Sequence, residues 1–204
     1  MPDLNPPEPG ADCPFCRIDS LDTVLYEGDG FYVIADFAPV ADAHVLLIPR
    51  GHYPHIAALP EALHAEFEAL KARLGDFVRS QYGALTFWEN GVFGQSVPHA
   101  HQHVVSMSLD DALYRGHGPV FEGIAGLRER YQAAPTPYFT VEQGGDARFL
   151  PPDWDLYLRV IQYARSTHGG QWLLSRDERR VHGLPIIEAL RQRWRENWRP
   201  ESKR

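Results

Sequence analysis

The sequence predicts an α+β fold built on an antiparallel sheet, and three observations carry that prediction. Five short apolar segments of strand-like composition follow one another in the first half of the chain. One long segment of helical periodicity interrupts them, and no helices alternate with the strands as a parallel sheet would require. At 204 residues, 44% of them hydrophobic, the chain is long enough to bury an ordinary core.

The elements follow in order. Residues 1–12 are rich in proline and acid and read as a flexible arm, with order expected from Cys13-Pro14-Phe15-Cys16 onward. Thr23 to Tyr26 and Phe31 to Phe37 read as strands around Glu27-Gly28-Asp29-Gly30, a Gly/Asp cluster of hairpin type. Ala43 to Pro49 is a third strand, stopped by Pro49 and Gly51. Pro60 opens the clearest helix, in which Leu63, Phe67, Leu70, Leu74, Phe77 and Val78 recur at three- and four-residue steps until Gly83 ends it. Leu85 to Glu89 and His99 to Met107 supply the remaining two strands. After about residue 110 the pattern changes to a strand-like Tyr138 to Glu142, an amphipathic helix near Asp153 to Thr167, a short strand Gln171 to Leu174 and a last helix from Pro185.

Composition narrows the function. No apolar run approaches the roughly 18 to 20 residues of a spanning helix, and Met1 to Asp12 is acidic where a signal peptide is basic and then apolar, so a cytoplasmic protein with no membrane partner is expected. The formal net charge of −7 does not advertise a nucleic-acid partner. The last helix sets Ile186, Ile187, Leu190 and Trp194 against Arg191, Arg193, Arg195 and Arg199, a pattern that predicts an amphipathic helix with a solvated basic face. Nucleic-acid binding through that face is the less favoured reading. Trp154, Trp172 and His182 are further candidates for a substrate entrance.

The chemistry concentrates in His99, His101 and His103. Spacing of two on a strand puts three imidazoles on one face. Such a row suits zinc, or nucleophilic attack on phosphorus through a covalent phosphohistidine. The preceding segment, Asn90 to Pro98, separates the two. Gly91 and Gly94 permit a tight backbone path, while Gln95, Ser96 and exposed backbone N–H groups offer donors to an anion. Metal binding would need none of this; phosphate chemistry would use all of it. The two cysteines, Cys13 and Cys16, are too close in sequence to staple a fold, and metal or redox chemistry is the better reading.

Asn90-Gly91-x-x-Gly94-Gln95-Ser96-Val97-x-His99-x-His101-x-His103-Val104-Val105 resembles the signature of the histidine triad (HIT) superfamily, and especially its nucleotide-binding and hydrolase branch. Ala35-Asp36-Phe37-x-Pro39 and His44-Val45-Leu46-Leu47-Ile48-Pro49-Arg50-x-His52 extend the match upstream, so the resemblance covers about residues 13–108. It implies a HIT-like five-stranded antiparallel sheet with a long helix over residues 13–110, and leaves residues 111–204 as a mixed α/β extension packed on it. It also implies a hydrolase that cleaves a nucleotide conjugate, of phosphoramidate or dinucleoside polyphosphate type, at the α-phosphate through a nucleotidyl-histidine. A nucleotidyltransferase or phosphorylase using the same adduct, and a non-catalytic nucleotide-binding or nucleic-acid-binding module, are the alternatives.

By this resemblance His101 is the nucleophile, His103 and Gln95 hold phosphate oxygens, Ser96 assists the leaving group and His44 supports the catalytic histidine. Asp36 contacts the ribose and Asn90 fixes the loop or the phosphate side. A structural zinc is implied at Cys13, Cys16, His52 and His99, with His55 as a substitute for His52, and no catalytic metal is required. A homodimer is the implied assembly. Gln102 departs from the family's apolar position, which predicts a buried partner for its amide, and the extension exceeds compact members in length.

Overall fold

The computed structural model describes residues 13–166 and 176–199, so the N-terminal arm, the Gln171 to Leu174 strand and Trp172 lie outside the described residues. The fold is α+β, with one antiparallel seven-stranded sheet in the order β1-β2-β3-β5-β4-β6-β7. β1 (Val24–Glu27), β2 (Phe31–Ala35), β3 (His44–Pro49), β4 (Thr86–Glu89) and β5 (Gln102–Val105) are the five strands the sequence predicts. The extension adds β6 (Phe139–Gln143) and β7 (Asp146–Leu150), which continue the sheet because β6 pairs along the outer edge of β4.

Helices cover both faces, which is why β2 and β3 read as unbroken apolar runs and are buried throughout. On one face Phe31, Val33, Val45 and Leu47 meet Phe67, Leu70, Leu74 and Val78 of α1 (His64–Tyr82). The helix stops at Gly83, whose φ of 86 suits a residue without Cβ. A short 3-10 turn over Glu61–Leu63 precedes it, so Pro60 stands before the α-helix rather than in its first turn. The same face receives Ile124 and Leu127 of α2 (Gly123–Ala133) and Ile187, Leu190 and Trp194 of α4 (Arg176–Asn197).

α4 starts well before Pro185, which lies inside it. Its aromatic side is turned inward: Trp194 stacks on Trp198 at 4.1 Å and meets Phe77 edge-on at 5.0 Å. The arginines stay outside, with Arg193 over the Tyr82 ring and Arg195 paired to Glu188 at 3.4 Å. A half-buried ion pair, Lys71 Nζ to Glu142 Oε1 at 2.6 Å, ties α1 to β6.

The opposite face carries a second apolar cluster. Leu156, Val160 and Ala164 of α3 (Trp154–Ser166) pack on Trp88, Val105, Met107, Phe139 and Val141. Beside it, Cys13, Phe15, Tyr32, Ile34, Leu46 and Ile48 form a third. The β6–β7 turn uses Gly144 and Gly145 at φ 60 and 84, the paired left-handed residues of a two-residue hairpin. Among the described residues no helix is long and apolar enough to cross a membrane.

Candidate active site

Only His103 of the three histidines lies in the ladder, because β5 begins at Gln102; Val97 to Ala100 bend on the way in, with His99 N–H donating to the Val97 carbonyl at 2.8 Å. The bend gives the row two destinations. His101 and His103 remain together, ring centroids 4.8 Å apart, while the His99 ring turns toward Cys13, Cys16 and His52.

His101 is 4% exposed, and its Nδ1 lies 2.6 Å from the His99 carbonyl. A carbonyl only accepts, so Nδ1 carries the proton and Nε2 carries the lone pair. Burial lowers the pKa of this imidazole, opposed by the His99 carbonyl and the Asp36 charge and reinforced by His44. The ring is therefore neutral and nucleophilic at neutral pH.

A second chain of bonds sets His103. Val40 N–H donates to His44 Nδ1 at 3.3 Å, which places the His44 proton on Nε2. That nitrogen donates to His103 Nδ1 at 2.9 Å and stands 3.6 Å from Asp36 Oδ2. His103 then carries its own proton on Nε2, a donor suited to a phosphate oxygen. The support given by His44 thus reaches His103 by a direct hydrogen bond. Asp36 is also held by Ala38 N–H, which donates to Oδ1 at 2.7 Å.

These side chains line a cavity of about 190 Å³ together with Asn90, Gly94 and Ser96. Gln95 is not brought to its wall; the Gln95 amide donates instead to the carbonyls of Pro54 at 3.1 Å and His99 at 3.4 Å. Gln102 lies on the far side of the sheet and donates to the Trp88 carbonyl at 2.7 Å, so its partner is in β4 and not in the extension.

The extension supplies a wall that the sequence reading missed. Tyr157, Ile161 and Ala164, one face of α3, line the cavity together with Asp36 and Val40. Their spacing was legible as amphipathic, but nothing in it says which surface the face meets. Trp154 packs on Phe93 at 4.4 Å, and His182 is exposed on α4. Gly94 has φ 72, and a Cβ there would stand 2.7 Å from Tyr157 Cζ. Gly94→Ala is therefore expected to lose about 1–2 kcal/mol in urea unfolding from the left-handed backbone alone, with a larger proportional loss of turnover as Tyr157 is displaced.

The cysteine cluster sits at the other end of the bend. His99 Nδ1 is 3.4 Å from Cys13 Sγ and 3.6 Å from Cys16 Sγ, and Cys16 Sγ is 3.2 Å from His52 Nδ1. All four ligand atoms lie within 4.8 Å of one another, the spread expected around an ion bound at about 2.0–2.3 Å. His99 Nε2 stands 2.8 Å from the Pro49 carbonyl, which accepts a hydrogen bond from its N–H and so leaves Nδ1 as the ligand atom. His55 does not join; it is buried against Tyr131 at 4.3 Å, and burial pushes its pKa down to about 4. Asp36, His44 and His103 also place one ligand atom each within 4.8 Å, but the His44–His103 hydrogen bond already accounts for that approach.

Comparison with known proteins bears on these arrangements. The HIT domain family matches residues 18–108. Adenylylsulfatase HINT3 of Arabidopsis thaliana is 30% identical over 110 residues, which is 50% of this chain and 56% of the relative, so the chain spans little more than half the length of that protein. Among solved structures, a HIT family hydrolase from Clostridium thermocellum is 25% identical with a TM-score of 0.42, covering 50% of this chain and 95% of that one. A hypothetical histidine triad nucleotide-binding protein from Sulfolobus tokodaii is 20% identical with a TM-score of 0.44, covering 78% and 93%. Residues 18–108, which carry the three alternating histidines and the first five strands, match the HIT domain family over less than half of the chain.

Proposed function

We propose that this protein hydrolyses a nucleotide conjugate at its α-phosphate through a covalent nucleotidyl-His101. The single observation that carries the reading is the Nδ1 contact of His101 with the His99 carbonyl at 2.6 Å, which leaves Nε2 as a lone pair at the wall of a cavity. In the first step Nε2 forms a bond to phosphorus while the bond to the leaving group breaks. The imidazole becomes cationic, and the His99 carbonyl stabilises the Nδ1–H of that cation. Ser96 lines the same cavity and gives the departing group a proton source. Water then attacks phosphorus as the P–Nε2 bond breaks and its proton restores Ser96, which returns His101 to the neutral imidazole and releases the mononucleotide. His103 Nε2–H supports the negative oxygens in both steps.

Asp36 faces the ribose hydroxyls in this reading, and Asn90 fixes the loop. Because the Arabidopsis relative is named an adenylylsulfatase, adenylyl sulfate joins the phosphoramidates and dinucleoside polyphosphates as a first conjugate to assay. Cys13, Cys16, His52 and His99 would hold a structural zinc, whose chemistry is to bind the N-terminal segment to the triad strand and not to activate water. The deciding experiment is intact-mass analysis of enzyme quenched during turnover. A mononucleotide increment that maps to His101 is the expected result, and an increment on another residue, or none during measurable turnover, rejects the mechanism.

A further inference from the structure

The loop that carries Asn90, Gly94 and Ser96 is gripped from outside the HIT-matched residues. Tyr138, immediately before β6, is wholly buried. Its N–H donates to the Gly91 carbonyl at 3.0 Å, it forms a parallel bridge with Val92, and its ring fills the space that a Cβ on Gly91 would need. Val92 itself stands at φ 71, a conformation that a β-branched residue abandons unless it is restrained. Tyr138 supplies that restraint. Its hydroxyl also reaches the residue before Asn90, donating to Glu89 Oε2 at 2.9 Å. Ile56 N–H donates to the other Glu89 oxygen at 2.6 Å, and Ala57 N–H donates to the Tyr138 hydroxyl at 3.4 Å.

We infer that Tyr138 is a positioning residue for the proposed reaction, bracing Gly91 and Val92 directly and Asn90 through Glu89 so that the loop keeps its phosphate-binding shape. The inference rests on the hydrolase reading above. Its physical content lies in the charge of Glu89, which is fully buried. An ionised carboxylate accepts from both Ile56 N–H and the Tyr138 hydroxyl; a protonated one has an O–H that either faces the Ile56 N–H, a donor only, or makes the Tyr138 hydroxyl reverse its role and accept, and the brace loosens.

Burial pushes Glu89 up to about 7, the Ile56 N–H and then the Tyr138 hydroxyl pull it back, and more distant Glu142 and Lys71 push it up and down respectively. Of the other titratable neighbours, His55 is held neutral by burial, Tyr138 stays protonated because burial raises it well above its ordinary value, and Tyr131 packs on both rings. Turnover is therefore expected to rise with pH through neutrality as Glu89 ionises. Removing the Tyr138 hydroxyl takes away a donor that favours the carboxylate, so the rise moves to higher pH.

The test uses the full chain with adenosine 5′-phosphoramidate and adenylyl sulfate, measuring kcat and KM across the neutral range. Tyr138→Phe is expected to lower kcat roughly ten- to hundred-fold with KM nearly unchanged, and to move the midpoint of the rise alkaline by about one unit. Glu89→Gln replaces one accepting oxygen with an NH2 donor and does not titrate, so it holds the loosened state at every pH: turnover should stay at the low-pH level and the rise should vanish, even if Tyr138→Phe fails to fold. A rise that persists in Glu89→Gln, or a Tyr138→Phe variant with wild-type kcat and midpoint, overturns the role of Tyr138 alone. A wild-type chain that releases no mononucleotide from either conjugate overturns the hydrolase reading and this role with it.

Discussion

His101→Ala is expected to lower the rate of mononucleotide release by on the order of 10³- to 10⁶-fold, the range seen when a nucleophile is removed and the rest of a site is kept. The rest is kept here because the bonds that set His103 run through His44 and Val40 and not through the His101 ring. Asp36 is likewise fixed by Ala38 N–H. Substrate should still bind, so the loss falls on kcat more than on KM, and the nucleotide increment on the protein should disappear. The His101 ring meets Phe15 edge-on at 5.4 Å, so the substitution leaves a small hole. Thermal denaturation of the variant therefore accompanies the rate measurement. A folded His101→Ala variant that releases mononucleotide at more than a tenth of the wild-type rate excludes a His101 adduct.

How much of this site was legible follows from which forces wrote it. The first five strands and α1 carry periodic apolar patterns that tertiary packing only had to honour, as the buried run Phe67, Leu70, Leu74 and Phe77 illustrates. The triad and its preceding loop were legible because the chemistry needs those residue types at fixed spacing. The extension was less readable. α2 buries little beyond Ile124 and Leu127, too few positions to establish a period, and β7 spends Asp146 and Arg148 on a half-buried ion pair. Pro185 masked the first turns of α4, since proline inside a helix is ordinarily a break.

The parts of the extension that touch the site act through close approach to glycine. Tyr138 lies against Gly91, Tyr157 against Gly94, and Gly183 of α4 lets that helix cross Pro39 beside Asp36. Each contact joins positions far apart in sequence, and composition gives no hint of the partner. The bend at Val97 to Ala100 was hidden for a related reason. Strict alternation of histidines reads as strand, while the cysteines 83 to 86 residues away divert the first imidazole from the row.

Removal of zinc is the second large effect expected. Protein purified without added metal should contain close to one equivalent, and stripping it with a chelator should lower the melting temperature. At free zinc a thousand-fold above its Kd, the bound ion stabilises the fold by about 4 kcal/mol, which corresponds to roughly 8–16 °C for a chain of this size. The cluster has a direct route to the chemistry. His99 is held by its ring, between the thiols and the Pro49 carbonyl, and its own carbonyl is the acceptor that sets His101. Release of the ring frees that carbonyl to drift, and the orientation of the nucleophile drifts with it. Cys16→Ser removes the sulfur that approaches both histidines and should reproduce the chelated state in metal content, melting temperature and rate together. Less than a tenth of an equivalent in protein that melts at the same temperature with and without chelator would exclude the site. Zinc present with a rate unchanged by its removal would instead keep the metal and reject its link to His101.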